Sequence, residues 1–476
     1  MVESPDMKSA EELKEKLSLY LASLSESAQQ LLLRTLKKNM ASGDMDPSSQ
    51  LILEALEKVL PDQEPEATPP VKVALDPLLK DAFFSTAKPF TAPLNLASKS
   101  EGRLSPDSLD SIWVWIKRDI AQPEHLALID QEIVEPDKSE IQTKAEQLKS
   151  VFLPKISQVT KKILSELGGE QKMANQLGSR EIYEDLRDFM VSKEKAMALQ
   201  PFLKRIDQPL VSWGSPQGEE VYAHIRKFVQ QFPMQTAWLF SGLTSKFADP
   251  KLLVQLATKL AGSEDAVQIG ATVYAPAITQ ILVEMEAHIF QFKAKVNDPE
   301  GLDQALYSLA EWRKLVRAVD SELEMPVQCP WAKSLSAMKT EMSDILEKEI
   351  SSVAGLIRKA LRAPKEGAQE SADENLLQDA TRAAQIFHHA ERMKDSLAIN
   401  EIVRKVRKEL DQTFELLTKS LVERTRNAEG HDVETCKTLG DAAAIFATHL
   451  VDDDYANSFR RQLRAAASSP ELKAAG

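Results

Sequence analysis

Three groups of residues carry side chains able to do chemistry. His431, Asp432, Glu434 and Cys436 lie close together, with His449 and Asp452 to Asp454 downstream. These are zinc-ligand types, but a zinc site needs convergent ligands at set spacings, and a single cysteine without a Cys-x-x-Cys partner does not supply them. His449 would approach Cys436 only through closure of the last helical hairpin. The simpler reading is a polar loop and helix start capped by Asp432 or Thr435. His388 and His389 form the second group. Neighbours on a helix point about 100° apart, so the pair cannot share one metal, and one ring faces solvent while the other lies along a packing seam. Histidine also titrates near neutrality, which makes pH sensing the chemistry the pair could supply. In the third group, Glu284 and His288 stand one helical turn apart beside Glu286, within hydrogen-bonding reach. An acid–base dyad would use that spacing, and so would an ordinary pair on a helix surface.

The motifs that hold phosphates, nucleophiles or catalytic zinc are missing. There is no Gly-x-Gly-x-x-Gly, no Gly-x-x-x-x-Gly-Lys-Ser/Thr, no Gly-x-Ser-x-Gly and no His-Glu-x-x-His. No catalytic residue, metal or cofactor is therefore expected, and the chain reads as a non-enzyme.

The remaining candidates would bind a partner. Arg404, Lys405, Arg407 and Lys408 are echoed by Arg460, Arg461 and Arg464. Each set places cations on one helix face, either solvated and paired with neighbouring acids or forming a groove for an acidic peptide or an anionic membrane. RNA is disfavoured because no exposed aromatics interleave with the cations. Trp113 and Trp115, in Ile-Trp-Val-Trp-Ile, mark either a core helix or an exposed docking site.

The basic echo belongs to a longer one. Ala383, Ile386 and Phe387 recur as Ala442, Ile445 and Phe446, and Ile402, Arg404, Val406 and Arg407 recur as Phe459, Arg461, Leu463 and Arg464. Self-similarity at such spacing is a mark of stacked helical units. A loose repeat of a shorter helix, a polar loop and a longer helix can be laid out over residues 250–296, 299–362, 375–427 and 434–467. It resembles α-solenoids only in class, and class does not give function.

Helix starts are legible where Asp or Ser precedes Pro, at Asp46, Asp76, Ser105, Asp249, Asp298 and Ser469. The first residue caps and the proline loses nothing at the first helical position. Glycine numbers only 16 in 476 residues, and no Asn-Gly or Asp-Gly occurs, which disfavours hairpin-rich sheets. The expected fold is all-α: an irregular array of helical hairpins, α-solenoid-like or an extended multi-helix bundle, with a small N-terminal helical module. The module covers residues 1–60. An acidic, proline-rich linker and a partly ordered extended segment fill 61–104. A helical domain with the Trp-rich helix spans 105–245, the degenerate hairpin array 246–467, and a flexible tail 468–476. Two heptad-like stripes, Leu335 to Leu361 and Ile402 to Leu421, fit packing within the chain and leave a homodimer through the long helices as an option.

Net charge −13 disfavours DNA, two cysteines cannot form a disulfide framework, and no stretch is long enough to span a membrane. A reducing cytoplasm is the expected location. The reading is a non-catalytic adaptor presenting helical grooves to a protein partner. Its rivals are a peripheral membrane tether using basic helix faces and an enzyme with a helical-bundle active site.

Overall fold

The computed structural model describes residues 72–468 apart from 135, 207, 299, 363–371, 395, 396 and 398, together with scattered positions between 17 and 56. The linker at 61–70, the polar loop at 364–371 and the tail from 469 lie outside the described residues, as do Asp46-Pro47 and Ser469-Pro470. Contacts group the chain into two units, residues 1–75 with 130–138, and residues 76–129 with 139–476.

In the first unit every described position between 17 and 56 is helical. Leu21, Leu36, Leu53 and Leu56 form its core, with Leu17, Leu32, Leu33 and Ile52 packed against it. Buried Gln29 satisfies itself locally, donating to the Leu21 carbonyl at 2.8 Å. The same unit holds the only sheet among the described residues, β1 (Lys72–Ala74) antiparallel to β2 (Glu132–Val134), with Val73 opposite Ile133.

The second unit is all-α. It begins with α1 (Leu75–Phe83), α2 (Pro106–Trp115), α3 (Pro123–Ile129), α4 (Lys138–Leu164), α5 (Gly169–Leu177) and α6 (Arg180–Leu203). Aromatic rings explain why the proline-interrupted stretch after α1 is apolar. Phe83 packs on Trp113, Phe152 and Phe189 at centroid distances of 5.3, 6.2 and 5.7 Å, joining α1, α2, α4 and α6. Residues 116–120 continue α2 as a single π-turn. Where two helices were expected between 180 and 206, α6 runs unbroken; Ser192 at the expected break is buried, its hydroxyl 3.4 Å from that of Thr86.

Next come α7 (Pro216–Gln231), α8 (Thr236–Thr244), α9 (Lys251–Ala261), α10 (Ala266–Gly270), α11 (Ala275–Lys295) and α12 (Leu302–Glu322). They are followed by α13 (Pro330–Ser351), α14 (Val353–Ala360), α15 (Glu374–Met393), α16 (Asn400–Asn427), α17 (His431–Leu450) and α18 (Asp453–Ala467). Ser215 before Pro216 accepts from the Gly218 amide at 3.0 Å, and Asp249 before Pro250 accepts from Lys251 at 2.7 Å. The expected caps fail elsewhere: Ser105 makes no cap bond, Asp76 lies inside α1, and α12 starts from Gly301 instead of Asp298. At the other end of α9, Gly262 takes the left-handed conformation, φ +69°, that closes a helix without a Cβ penalty.

From α9 onward the helices stack in two rows. One row packs in the order α9, α12, α15, α17, and the other in the order α11, α13 with α14, α16, α18. The long helix expected over 331–362 is broken at Ser352. The Ser351 and Ser352 hydroxyls donate back to the carbonyls of Lys348 and Glu349 at 3.1 and 3.0 Å, a local competition that bends helices. The heptad-like stripes are consumed inside the array: Leu335, Met342, Leu346 and Ile350 on α13, and Val406, Leu410 and Leu421 on α16, are buried. A dimer seam along them has no free surface.

The two near-copies are consecutive hairpins, α15–α16 and α17–α18. Phe387 and Phe446 are both fully buried, but Ile386 is 0 % exposed and Ile445 42 %. Among the described residues nothing stacks beyond α17, so its outer face stays open. Ile386→Ala should therefore cost about 2–5 kcal/mol and Ile445→Ala less than about 1 kcal/mol, measured by urea unfolding.

Candidate buried polar node and basic strip

The least expected residue in the interior is Arg103. It follows Gly102, whose φ of +71° and close approach to the α8 backbone leave no room for a side chain: an added Cβ would sit 3.0 Å from the Ala237 carbonyl carbon and the Trp238 nitrogen. The loop thus lies flat on α8 and delivers Arg103 inward, 4 % exposed. Its guanidinium donates to the Ser241 carbonyl at 3.4 Å and faces the Glu284 carboxylate at 3.4 Å. The same loop is held by Gln280, which donates to the carbonyls of Glu101 at 3.1 Å and Ala237 at 2.9 Å.

Gln280, Glu284 and His288 follow one another at four-residue steps, so α11 turns one polar row into the core. Burial pushes the Glu284 carboxyl up, the nearby guanidinium of Arg103 pulls it down, and Glu311 pushes it up again. Burial also lowers Arg103, against the pull of Glu284. His288 is 3 % exposed with no hydrogen-bond partner for Nδ1, and burial lowers it to about 4 despite Glu311. It is thus a neutral imidazole at pH 7.

A second buried ion pair anchors the same loop from outside. Lys99 bridges Asp185 and Asp188 of α6, both at 2.6 Å, and donates to the Arg103 carbonyl at 2.7 Å. Asp185 also accepts from the Ser105 amide at 3.1 Å. Burial pushes its carboxyl up, and Lys99 opposes that. Together these contacts clamp residues 99–105 between α6, α8 and α11. The sequence pairing of Glu284 with His288 pointed to the right face of α11, but the partner that matters is Arg103. Only its neighbouring Gly hinted at it.

The other expected ligands do not converge. Among the described residues no three His, Cys, Asp or Glu are placed to hold a metal ion. Cys436 and His449 sit on the same continuous helix, α17, and are about 20 Å apart along its axis. Closure of the hairpin cannot bring them together. Asp432 instead pairs with Arg424 at 3.1 Å, and the side chain of His431 lies outside the described residues. A hollow of about 740 Å³ lies on the outer face of α13, between Met325, Val327, Ser336 and Asp344, away from the buried node.

Trp113 and Trp115 are 2 % and 1 % exposed, which removes them as a docking surface. The Trp113 indole donates to Asp76 at 2.6 Å, whose other oxygen accepts from Lys117 at 2.6 Å. Helices α1, α5 and α6 cover this face of α2, and the residue left outside is Val114.

The five arginines separate. Arg407 is committed to structure: it pairs with Glu391, donates to the Leu450 carbonyl, and lies 5.0 Å over the Phe387 ring. Arg460 bonds Asn457 at 3.1 Å, and Arg461 and Arg464 are exposed on α18. Arg407 reaches Leu450 at one end of α17, whereas Leu463 is the neighbour of Gly440. The two arginine sets are therefore displaced by about 15 Å along the helices and form no common groove. Arg404 is different. With Lys405 and Lys408 it is exposed on α16, and none of the three has an ion-pair partner among the described residues. On the adjacent α14, exposed Arg358 pairs with Glu409 at 2.9 Å and Lys359 is exposed beside it. The α14 members of this strip are distant in sequence and carry no repeat signal.

No family model, characterised protein or solved structure matches the chain.

Replacing Arg103 by Met leaves Glu284 buried and unpaired, and should cost about 3–5 kcal/mol in urea unfolding, while Arg103→Met with Glu284→Met recovers most of it. The His288 contribution has the opposite pH sense to a raised carboxyl. Its folded value of about 4 lies below the ordinary 6.5, so the folded state takes up the proton later than the unfolded one. That contribution is complete above pH 6.5 and is lost as pH falls toward 4, on the order of 3 kcal/mol. His288→Leu should flatten the stability profile across that window.

Proposed function

We propose that this protein is a non-catalytic interaction protein whose hairpin array holds an acidic segment of a protein partner along the strip formed by α14 and the first half of α16. The observation that carries the reading is the unpaired, exposed trio Arg404, Lys405 and Lys408 in a chain of net charge −13. Where acids outnumber bases 72 to 59, exposed cations have acids at hand to pair with, and these three do not use them. Such a strip steers an acidic ligand and fixes its register more than it adds raw affinity. The helix beneath fixes the backbone positions of the cations, so binding has only their side chains to order.

An anionic membrane is the less favoured ligand. No helix among the described residues is long and apolar enough to cross one. On α14 and α16 the one large apolar residue that is strongly exposed is Leu416, about 12 Å along the axis from Lys408, so nothing beside the cations would insert into lipid. The buried, unpaired thiols of Cys329 and Cys436 fit a reducing compartment such as the cytoplasm.

A labelled oligoglutamate peptide should bind the full chain and bind at least about tenfold more weakly to Arg404→Glu/Lys405→Glu/Lys408→Glu, with the wild-type affinity falling as salt rises. Equal binding by both forms would sink the proposal. Binding only to phosphatidylserine vesicles would transfer the strip to the membrane-tether reading.

A further inference from the structure

Helices α15 and α17 meet at a cluster of histidines that the array does not need for packing. The His388 Nδ1–H donates to the His449 carbonyl at 2.9 Å. The His388 ring lies 5.8 Å from that of His389 and 6.1 Å from that of His449. All three are half-buried. In the first near-copy the two histidines follow Phe387, while in the second the same places hold Ala447 and Thr448, so the cluster is not part of the repeated packing pattern.

The charges around the cluster are of both signs. From α15 comes Arg392, and Glu391 is already occupied by Arg407 of α16. From α18 comes Asp453. Asp411 of α16 lies 3.8 Å from Arg407 and adds to the same neutralised pair. Burial lowers His389, and His388, Arg392 and His449 lower it further. Burial also lowers His449, with His388 acting in the same direction and Asp453 against it. Protons added here would meet one another and Arg392, with Asp453 as the counter-charge.

We propose that His388, His389 and His449 form an acid-sensitive latch that releases the last hairpin, α17–α18, from α15 while the rest of the array stays folded. Opening the seam returns His389 and His449 to water, where burial no longer lowers them. The open form therefore binds more protons, and acid favours it. The closed seam is complete above pH 6.5 and weakens as pH falls below it. The α17–α18 hairpin is suited to this role because, among the described residues, it is stacked on one side only, against the α15–α16 hairpin. Local opening of such a peripheral unit requires far less than global unfolding.

Hydrogen–deuterium exchange on the full chain at pH 7.5 and 5.5, corrected for the intrinsic pH dependence of exchange, tests this directly. Amide protection in α17 and α18 should fall by about tenfold or more at pH 5.5, with α11 and α12 unchanged. In His388→Gln/His389→Gln/His449→Gln the difference between the two pH values should vanish. Equal wild-type protection at both pH values overturns the proposal, as does a loss shared by α11 and α12, which would be general acid unfolding. A variant that does not fold leaves a second readout on the wild type. Histidine ring-proton titrations should give depressed midpoints for His389 and His449, and ordinary midpoints would overturn the latch.

Discussion

A guanidinium cannot stay in a protein interior without a carboxylate, and the second unit is organised around that requirement. Arg103 enters between α8 and α11 because Gly102 lets its loop lie on the α8 backbone, and Glu284 receives it. The pair is not a large source of stability, since desolvating both ions offsets most of their attraction. Its effect is on specificity. A buried cation received by one carboxylate, Glu284, and the Ser241 carbonyl restricts the placement of the 99–105 loop, and Lys99 with Asp185 and Asp188 fixes the same loop from the α6 side. The early helices α1 to α6 and the array that begins at α9 are thereby keyed to each other through one short segment.

The array itself follows from a different constraint. An isolated hairpin has an apolar face it cannot cover, and stacking the next hairpin covers it. Where the stack ends among the described residues, at α17, the equivalent of buried Ile386 is half-exposed Ile445, and the equivalent of buried Val403 is Arg460. The open side of α17 thus keeps apolar residues in water, with Val433 exposed as well as Ile445. The basic strip on α14 and α16 is a surface left free by this scheme, whereas the histidines lie half-buried between α15 and α17.

Much of this was legible in residue order. The Asp/Ser-Pro starts, the stripes on α13 and α16 and the near-copy at Ala383 and Ala442 all report local periodicity, and local periodicity is what a helix converts into a buried face. Misreadings came where a side-chain contact, distant or local, overrode the apolar pattern. Ser192 does not end α6 because Thr86 packs against it, whereas Ser351 and Ser352 break a helix whose apolar stripe runs on without interruption. The tryptophans of α2 are interior because α1, α5 and α6 cover them, which the pattern Ile-Trp-Val-Trp-Ile leaves open.

The amino-acid sequence by itself determined that the chain is all-α, where most of its helices begin, and that its C-terminal half repeats a hairpin. Those properties depend on residues a few positions apart, whose interactions the backbone enforces. Only the tertiary structure decided that Arg407 is a structural tie while Arg404 is free, that Glu284 answers Arg103, and that His449 meets His388 and not Cys436. A charged or titratable side chain has no fixed role in residue order. Its role is set by which distant groups share its low-dielectric surroundings, and that is a property of packing.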